Sequence, residues 1–436
     1  MFENIINELS GRYIQEKMSR KDLLIELFKN QELKDKFINE IRRSTIIWQI
    51  ANEIFSKVGA QDNCKVMAIW DVKYFWEILI EWENLVKNSL SSINIPNLIW
   101  YDLSGQWTIE FRWLLMDYMN NYYNLSSLDK NKIIDSIIPT YGGTDWFASV
   151  LDTIKQKYAD KNVKFIYPEA SFLANVKIAE SFLWERNLIK INKPDSNNFF
   201  FDTEWIKDLY KNTLSKNDLN IYYITPVGNP TWNKINSENF IDVIRQISDI
   251  DNDAIFIFDT VYVWILRQET SAEMFREIFH NKEILNKIIF TESLSKTLWT
   301  TGLRIGWIWT YNEIFSQELK KNMVLKKAGY SKILNEFGIN LLSDFSQIIT
   351  FQNKIYEFWS RQRKWFFELV KREYSRFFDL WQSPEIFDRE WMYVLLKVKD
   401  WFGIEEIFAE MWIIGVGINL SDWLYVRYAI WNVNYF

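Results

Sequence analysis

Cysteine and histidine are nearly absent from this chain, which holds one of each, Cys64 and His280. A single cysteine excludes an internal disulfide framework and a cysteine-built metal site. A single histidine excludes a multi-histidine metal centre and argues against a histidine-based triad, so no metal is expected. No apolar run approaches the roughly 18 residues needed to span a bilayer, so no membrane partner is expected. The opening residues, MFENIINELSGRYIQEK, have no basic stretch leading into an apolar core. No secretory leader is therefore expected, and the lone cysteine fits a cytoplasmic location. Positive charge is not in excess, since the net charge is -6. A broad basic surface for nucleic acid is excluded. Glycine is scarce at 13 residues, while tryptophan reaches 23. Ordinary glycine usage would give roughly 30 in this length, a shortfall of about 17.

What is present is ordinary for a globular protein: 436 residues, 48% apolar and 25% charged. That length allows two or three domains. Residues 1–60 repeat apolar positions at spacings of three and four, as in Asp22–Phe28 and Leu33–Ile41, and read as an amphipathic helical extension. Residues 61–112 are mixed and contain Pro96, and are assigned to a smaller domain. From about 113 to 330, short β-rich runs alternate with helical ones. The runs are Val163–Tyr167, Leu188–Ile191, Ile221–Thr225, Ala254–Asp259 and Lys287–Thr291. Each is short, apolar and β-branched or aromatic, as expected of strands buried on both faces of a mainly parallel sheet. Helical stretches at Ala148–Tyr158, Leu173–Phe182, Ser237–Ile247 and Ala272–Phe279 supply the crossovers. Residues 331–436 complete the smaller α+β domain. The expected fold is α/β, three layers around a mainly parallel sheet.

Five segments carry polar residues where such a sheet places ligands. Thr291-Glu-Ser-Leu-Ser-Lys296 follows a strand and leads to Gly302-Leu-Arg-Ile-Gly306. A lysine there can form an imine with an aldehyde. Ser293, Ser295 and Arg304 offer hydroxyl donors and a planar cation suited to a phosphate. A lysine near serines is, in isolation, usually a solvated surface residue. Ala254-Ile-Phe-Ile-Phe-Asp259-Thr-Val-Tyr262 is a buried strand ending in a carboxylate, able to keep a ring nitrogen protonated or simply to cap a helix. Thr225-Pro-Val-Gly-Asn229-Pro-Thr-Trp232 reads as a turn whose Asn229 amide can donate to a ligand oxygen. Tyr141-Gly-Gly-Thr-Asp145 precedes a helix and offers free N–H groups to an anion. Tyr425-Val-Arg427 places an arginine on a short strand, facing solvent or clamping a carboxylate.

In this order the segments resemble the class I/II aminotransferases, fold-type-I enzymes dependent on pyridoxal 5'-phosphate (PLP). The resemblance spans roughly residues 98–310 and the C-terminal arginine strand. It implies that Lys296 holds the cofactor as a Schiff base and later shuttles the proton. It implies that Asp259 pairs with the pyridinium nitrogen, and that Asn229 and Tyr262 contact the ring oxygen. Gly143, Thr144, Ser293, Ser295 and Arg304 would hold the phosphate. Phe172 would stack on the ring, Arg427 would bind the substrate α-carboxylate, and Tyr101 would reach the phosphate of a partner subunit. The implied reaction moves an amino group from an L-amino acid to a 2-oxo acid in a homodimer. A PLP-dependent C–S β-lyase is the nearest alternative. A non-catalytic sensor domain of a regulator is the alternative of another class, against which the complete set of site residues argues.

The departures from the family pattern are mostly tryptophan for glycine or another small residue, at Trp107, Trp146, Trp184, Trp232, Trp299 and Trp431. Glycine serves such turns because it takes positive φ and lets backbones approach closely. Six such replacements at about 1–3 kcal/mol each would exceed a typical stability margin. This composition is the one expected if UGA codons are decoded as glycine in the protein's own cell and read as tryptophan in this sequence; the competing reading is a tryptophan-rich protein with altered turns. Strained or displaced backbone is expected at these positions.

Overall fold

A computed structural model describes the chain except for residues 1, 37–39, 59–64, 67–75, 99–105, 192–202, 216, 229–236, 267, 328, 381–392, 400–401, 412, 415, 420–423 and 430–436. Cys64, Tyr101, Asn229, Trp232 and Trp431 lie outside the described residues. The chain divides into two compact units, residues 80–354 and a second made of residues 1–79 and 355–436.

The first unit is built on a seven-stranded sheet: β1 Ile138–Thr140, β2 Asn162–Pro168, β3 Leu188–Ile191, β4 Asp218–Ile224, β5 Ile255–Asp259, β6 Ile288–Ser293 and β7 Gly306–Thr310. Their spatial order is β1-β7-β6-β5-β4-β2-β3. Strand β7 runs antiparallel to both its neighbours, and the other pairs are parallel. Strands β4, β6 and β7 are buried along their whole length. This explains why the apolar runs do not alternate with polar residues: both faces of the sheet are covered. The helices Gly143–Lys157, Leu173–Phe182, Ser237–Ile250 and Gln268–His280 are the expected crossovers. All five expected strands are present. Strands β1 and β7 were not expected, because β1 is three residues long around Pro139 and β7 reads Gly-Trp-Ile-Trp-Thr. Helix Trp76–Ser91 was also unexpected in a stretch read as mixed.

The second unit joins the two ends of the chain. Helices Glu3–Gln15, Arg20–Lys29 and Glu40–Lys57 supply buried Ile5, Leu9, Leu24, Leu27, Ile54 and Phe55 to one apolar cluster. The cluster also holds Val394 and Leu396 of β8 (Tyr393–Lys397) and Val426 and Tyr428 of β10 (Leu424–Ala429). With β9 (Val416–Asn419), these strands form an antiparallel sheet in the order β9-β10-β8. Among the described residues no helix is long and apolar enough to cross a membrane, and no group of three metal-ligating side chains occurs.

Candidate active site

Sheet register places most of the expected site residues at one edge. Asp259, the last residue of β5, pairs with Thr291 of β6. Two residues on, Ser293 pairs with Gly306 of β7, and Gly306 pairs in turn with Thr140 of β1. The chain leaves this edge after Asp259 towards Tyr262, after Ser293 towards Lys296, and after Thr140 towards the Gly142-Gly143 turn. It enters β7 at the same edge just after Arg304. Parallel strands thus deliver their carboxyl ends, with the antiparallel strand's start, to a common rim.

Lys296 sits on a four-residue helix, Leu294–Thr297, that follows β6 without a break. Its ammonium nitrogen lies 5.8 Å from the centre of the Tyr262 ring. Asp259 is buried, and burial pushes its carboxyl up to about 6. Four groups oppose that shift: the Tyr223 hydroxyl, the Val261 N–H, the positive charge of Lys296 and the Asn175 amide. The two carboxylate oxygens are treated differently. Oδ2 accepts from the Tyr223 hydroxyl at 2.7 Å and from Asn175 Nδ2 at 3.1 Å. Among the described residues Oδ1 accepts only a long 3.4 Å contact from the Val261 N–H. Neither Tyr223 nor Asn175 was singled out from the sequence. Both read there as core positions, one on an apolar strand and one inside a helix.

The anion side of the rim is formed by two chain segments that need glycine. Gly142 has φ +78°, and a Cβ there would strike the Arg304 guanidinium. A Cβ on Gly306 would come within 3.0 Å of Gly142 Cα and the Glu292 carbonyl. Arg304, itself at φ +59°, donates to the Tyr141 carbonyl at 3.2 Å and the Thr301 carbonyl at 2.9 Å. The guanidinium therefore bridges the Tyr141–Thr144 turn and its own loop. The N–H groups of Gly143 and Thr144 open the helix Gly143–Lys157, at the end where the first N–H groups of a helix lack i−4 carbonyl partners. Asp145 accepts from the Tyr141 N–H at 2.8 Å and pairs with Lys327, closing the turn. This cradle, which one added Cβ would fill, suits the phosphate of a compact ligand.

Ser293 and Ser295 are buried beside it, their hydroxyl oxygens 2.8 Å apart. Ser293 also caps its short helix by accepting from the Ser295 N–H at 3.1 Å, and it donates to the Ile305 carbonyl at 2.9 Å. Phe172 is half-buried at the residue preceding the helix Leu173–Phe182, beyond the end of β2. Arg427 is buried on β10 in the second unit.

The tryptophans divide. Trp299, between Lys296 and Arg304, is buried with φ +53°. The expected strain is present there. Trp107, Trp146 and Trp184 do not enter the left-handed region. At these three the expectation of backbone strain fails, since Trp107 and Trp146 pack in the core and Trp184 is exposed. The buried indole N–H of Trp146 nevertheless finds no hydrogen-bond partner among the described residues.

Comparison with known proteins agrees with this geometry. The family model described as aminotransferase class I and II matches residues 105–380. No curated protein sequence matches the chain. Among solved structures, an aminotransferase from Staphylococcus aureus is similar at 17% identity, over 85% of this chain and 90% of that one, with a TM-score of 0.59. An archaeal alanine:glyoxylate aminotransferase is 14% identical over 90% of each chain, with a TM-score of 0.63. An aromatic aminotransferase from Pyrococcus horikoshii OT3 is 14% identical over 87% of this chain and 93% of that one, with a TM-score of 0.63. At such identities the structures speak for the fold.

Proposed function

Since the chain belongs to the class I and II aminotransferase family, we propose that it is a PLP-dependent enzyme moving an amino group between an L-amino acid and a 2-oxo acid. The observation that carries this reading is the shared rim: an amine, a buried carboxylate and a glycine-lined guanidinium cradle meet at one sheet edge. Pyridoxal phosphate, when bound, supplies an electron sink for the pair left behind as a substrate α-proton departs. The remaining work falls to the chain. Lys296 holds the cofactor through its amine and, once released, takes and returns the α-proton. Asp259, ionised above about 6, keeps a ring nitrogen protonated. Tyr262 and Asn229 hold the ring oxygen, and Phe172 covers the ring face. Gly143, Thr144, Ser293, Ser295 and Arg304 hold the phosphate, and Arg427 receives the substrate carboxylate. A homodimer, with Tyr101 reaching the partner's phosphate, and a cytoplasmic location belong to the same proposal.

Lys296→Ala tests it. The variant should lose the absorbance of lysine-linked PLP and about 10²–10⁴-fold of its transfer rate. Undiminished transfer in that variant would refute the assignment. Wild-type protein that released its oxo acid without any acceptor would instead be a lyase.

A further inference from the structure

Building on the proposed cofactor, we infer that Tyr223 and Asn175 are positioning residues that fix which oxygen of Asp259 meets the ring nitrogen and keep that carboxyl ionised. The three side chains close a hydrogen-bonded triangle. Asn175 Nδ2 donates to the Tyr223 oxygen at 2.8 Å and to Asp259 Oδ2 at 3.1 Å. Tyr223 donates its own proton to the same Oδ2 at 2.7 Å. All three residues are buried. Burial and the neighbouring Asp259 hold the Tyr223 phenol far above its ordinary range, so it remains a donor at any working pH.

Two consequences follow. Oδ2 is saturated, and the carboxylate cannot rotate without breaking two buried hydrogen bonds. Oδ1, with only a 3.4 Å backbone contact among the described residues, is the oxygen left for a ligand N–H. In a dry pocket a carboxyl and a pyridine-type nitrogen compete for one proton. Donors on the carboxylate lower its proton affinity and leave the proton on the nitrogen. Of the groups opposing the burial of Asp259, the Tyr223 hydroxyl is the strongest. Tyr223, supplied by β4, therefore sets the charge of a ring that it does not touch.

The test uses the full chain loaded with PLP isotope-labelled at the ring nitrogen. Nuclear magnetic resonance of that nitrogen reports its protonation directly, and a PLP titration gives the affinity. In the unmodified chain the signal should stay at the protonated position across neutral pH. In Tyr223→Phe it should move towards the unprotonated position, with kcat falling about tenfold and KM changing less, as expected when one unit of proton affinity is lost. Asn175→Ala should move it the same way by a smaller amount, because the phenol remains. An unmoved signal in folded, PLP-loaded Tyr223→Phe overturns the inference, and circular dichroism establishes the folding. If that variant does not fold, an unmoved signal in Asn175→Ala does the same. Failure of the unmodified chain to take up PLP would refute the cofactor reading itself, a result distinct from either.

Discussion

Glycine 142 and tryptophan 299 occupy the same kind of backbone and meet opposite fates. Both have positive φ, at +78° and +53°. At Gly142 the residue fits, because nothing else clears the Arg304 guanidinium. Gly142→Ala should cost about 1–3 kcal/mol from the positive-φ, extended-ψ backbone alone. By displacing Arg304 it should also weaken PLP binding about tenfold or more, read by fluorescence titration. An unchanged affinity would show that the cradle does not hold the phosphate. At Trp299 a bulky side chain is held where glycine is favoured, inside the loop joining the two candidate cofactor residues. Decoding of UGA as glycine would resolve this conflict and the glycine shortfall together. Mass spectrometry of the protein from its own cell should find glycine at position 299 in the tryptic peptide 297–304. Tryptophan there would end that explanation. The placement of Lys296, Asp259 and Arg304 was legible in sequence because each stands at or near a strand boundary. Asn175 and Tyr223 were not, because their role arises only where a helix and two strands converge.

At the scale of elements, the alternation of apolar runs with helices was enough to locate five strands of the seven, together with their crossovers. The two missed strands are those whose sequence departs from that pattern. Strand β6 carries a further feature on its other face. Glu292 is fully buried, and burial pushes it from 4.5 up to about 8. Tyr123 donates to Glu292 Oε1 at 2.7 Å, and Trp264 Nε1 donates to the Tyr123 hydroxyl at 2.6 Å. Among the described residues Oε2 has no hydrogen-bond partner, as suits the neutral acid. A carboxyl raised in the folded state binds its proton more tightly folded than unfolded. Its contribution is therefore fully present below about 4.5 and is lost as pH rises through about 8. Asp259, raised from 3.8 to about 6, acts with the same sign over a lower window. Thermal stability should thus fall as pH rises from about 4.5 to about 8 and level off above that. Glu292→Gln, which cannot ionise, should flatten that fall in a calorimetric pH series. Parallel curves for the two proteins would show that Glu292 is not the titrating group.

Taken as a whole molecule, the chain uses its first helices as part of a core. Residues 1–60 read in sequence as an amphipathic extension, and amphipathicity alone does not say what an apolar face covers. The described structure answers that within the second unit. Leu23, Leu24, Leu27 and Leu33 are fully buried, as are Ile47, Ile54 and Phe55, in one cluster with strand residues from the far end of the chain. Arg12 ties the first two helices together through Glu26, at 2.7 Å. That half-exposed pair adds little, so the apolar contacts must supply the cohesion. The cluster links residues some four hundred positions apart, which no local sequence pattern encodes. Leu24→Ala should cost about 2–5 kcal/mol, the usual range for a fully buried leucine, read as a shift in urea midpoint. Removal of residues 1–57 should uncover the facing surfaces of β8 and β10, giving a chain that binds a hydrophobic dye and aggregates. A truncated chain that stays monodisperse with an unshifted melting temperature would show that the N-terminal helices are a dispensable appendage, and that residues 355–436 close their core without them.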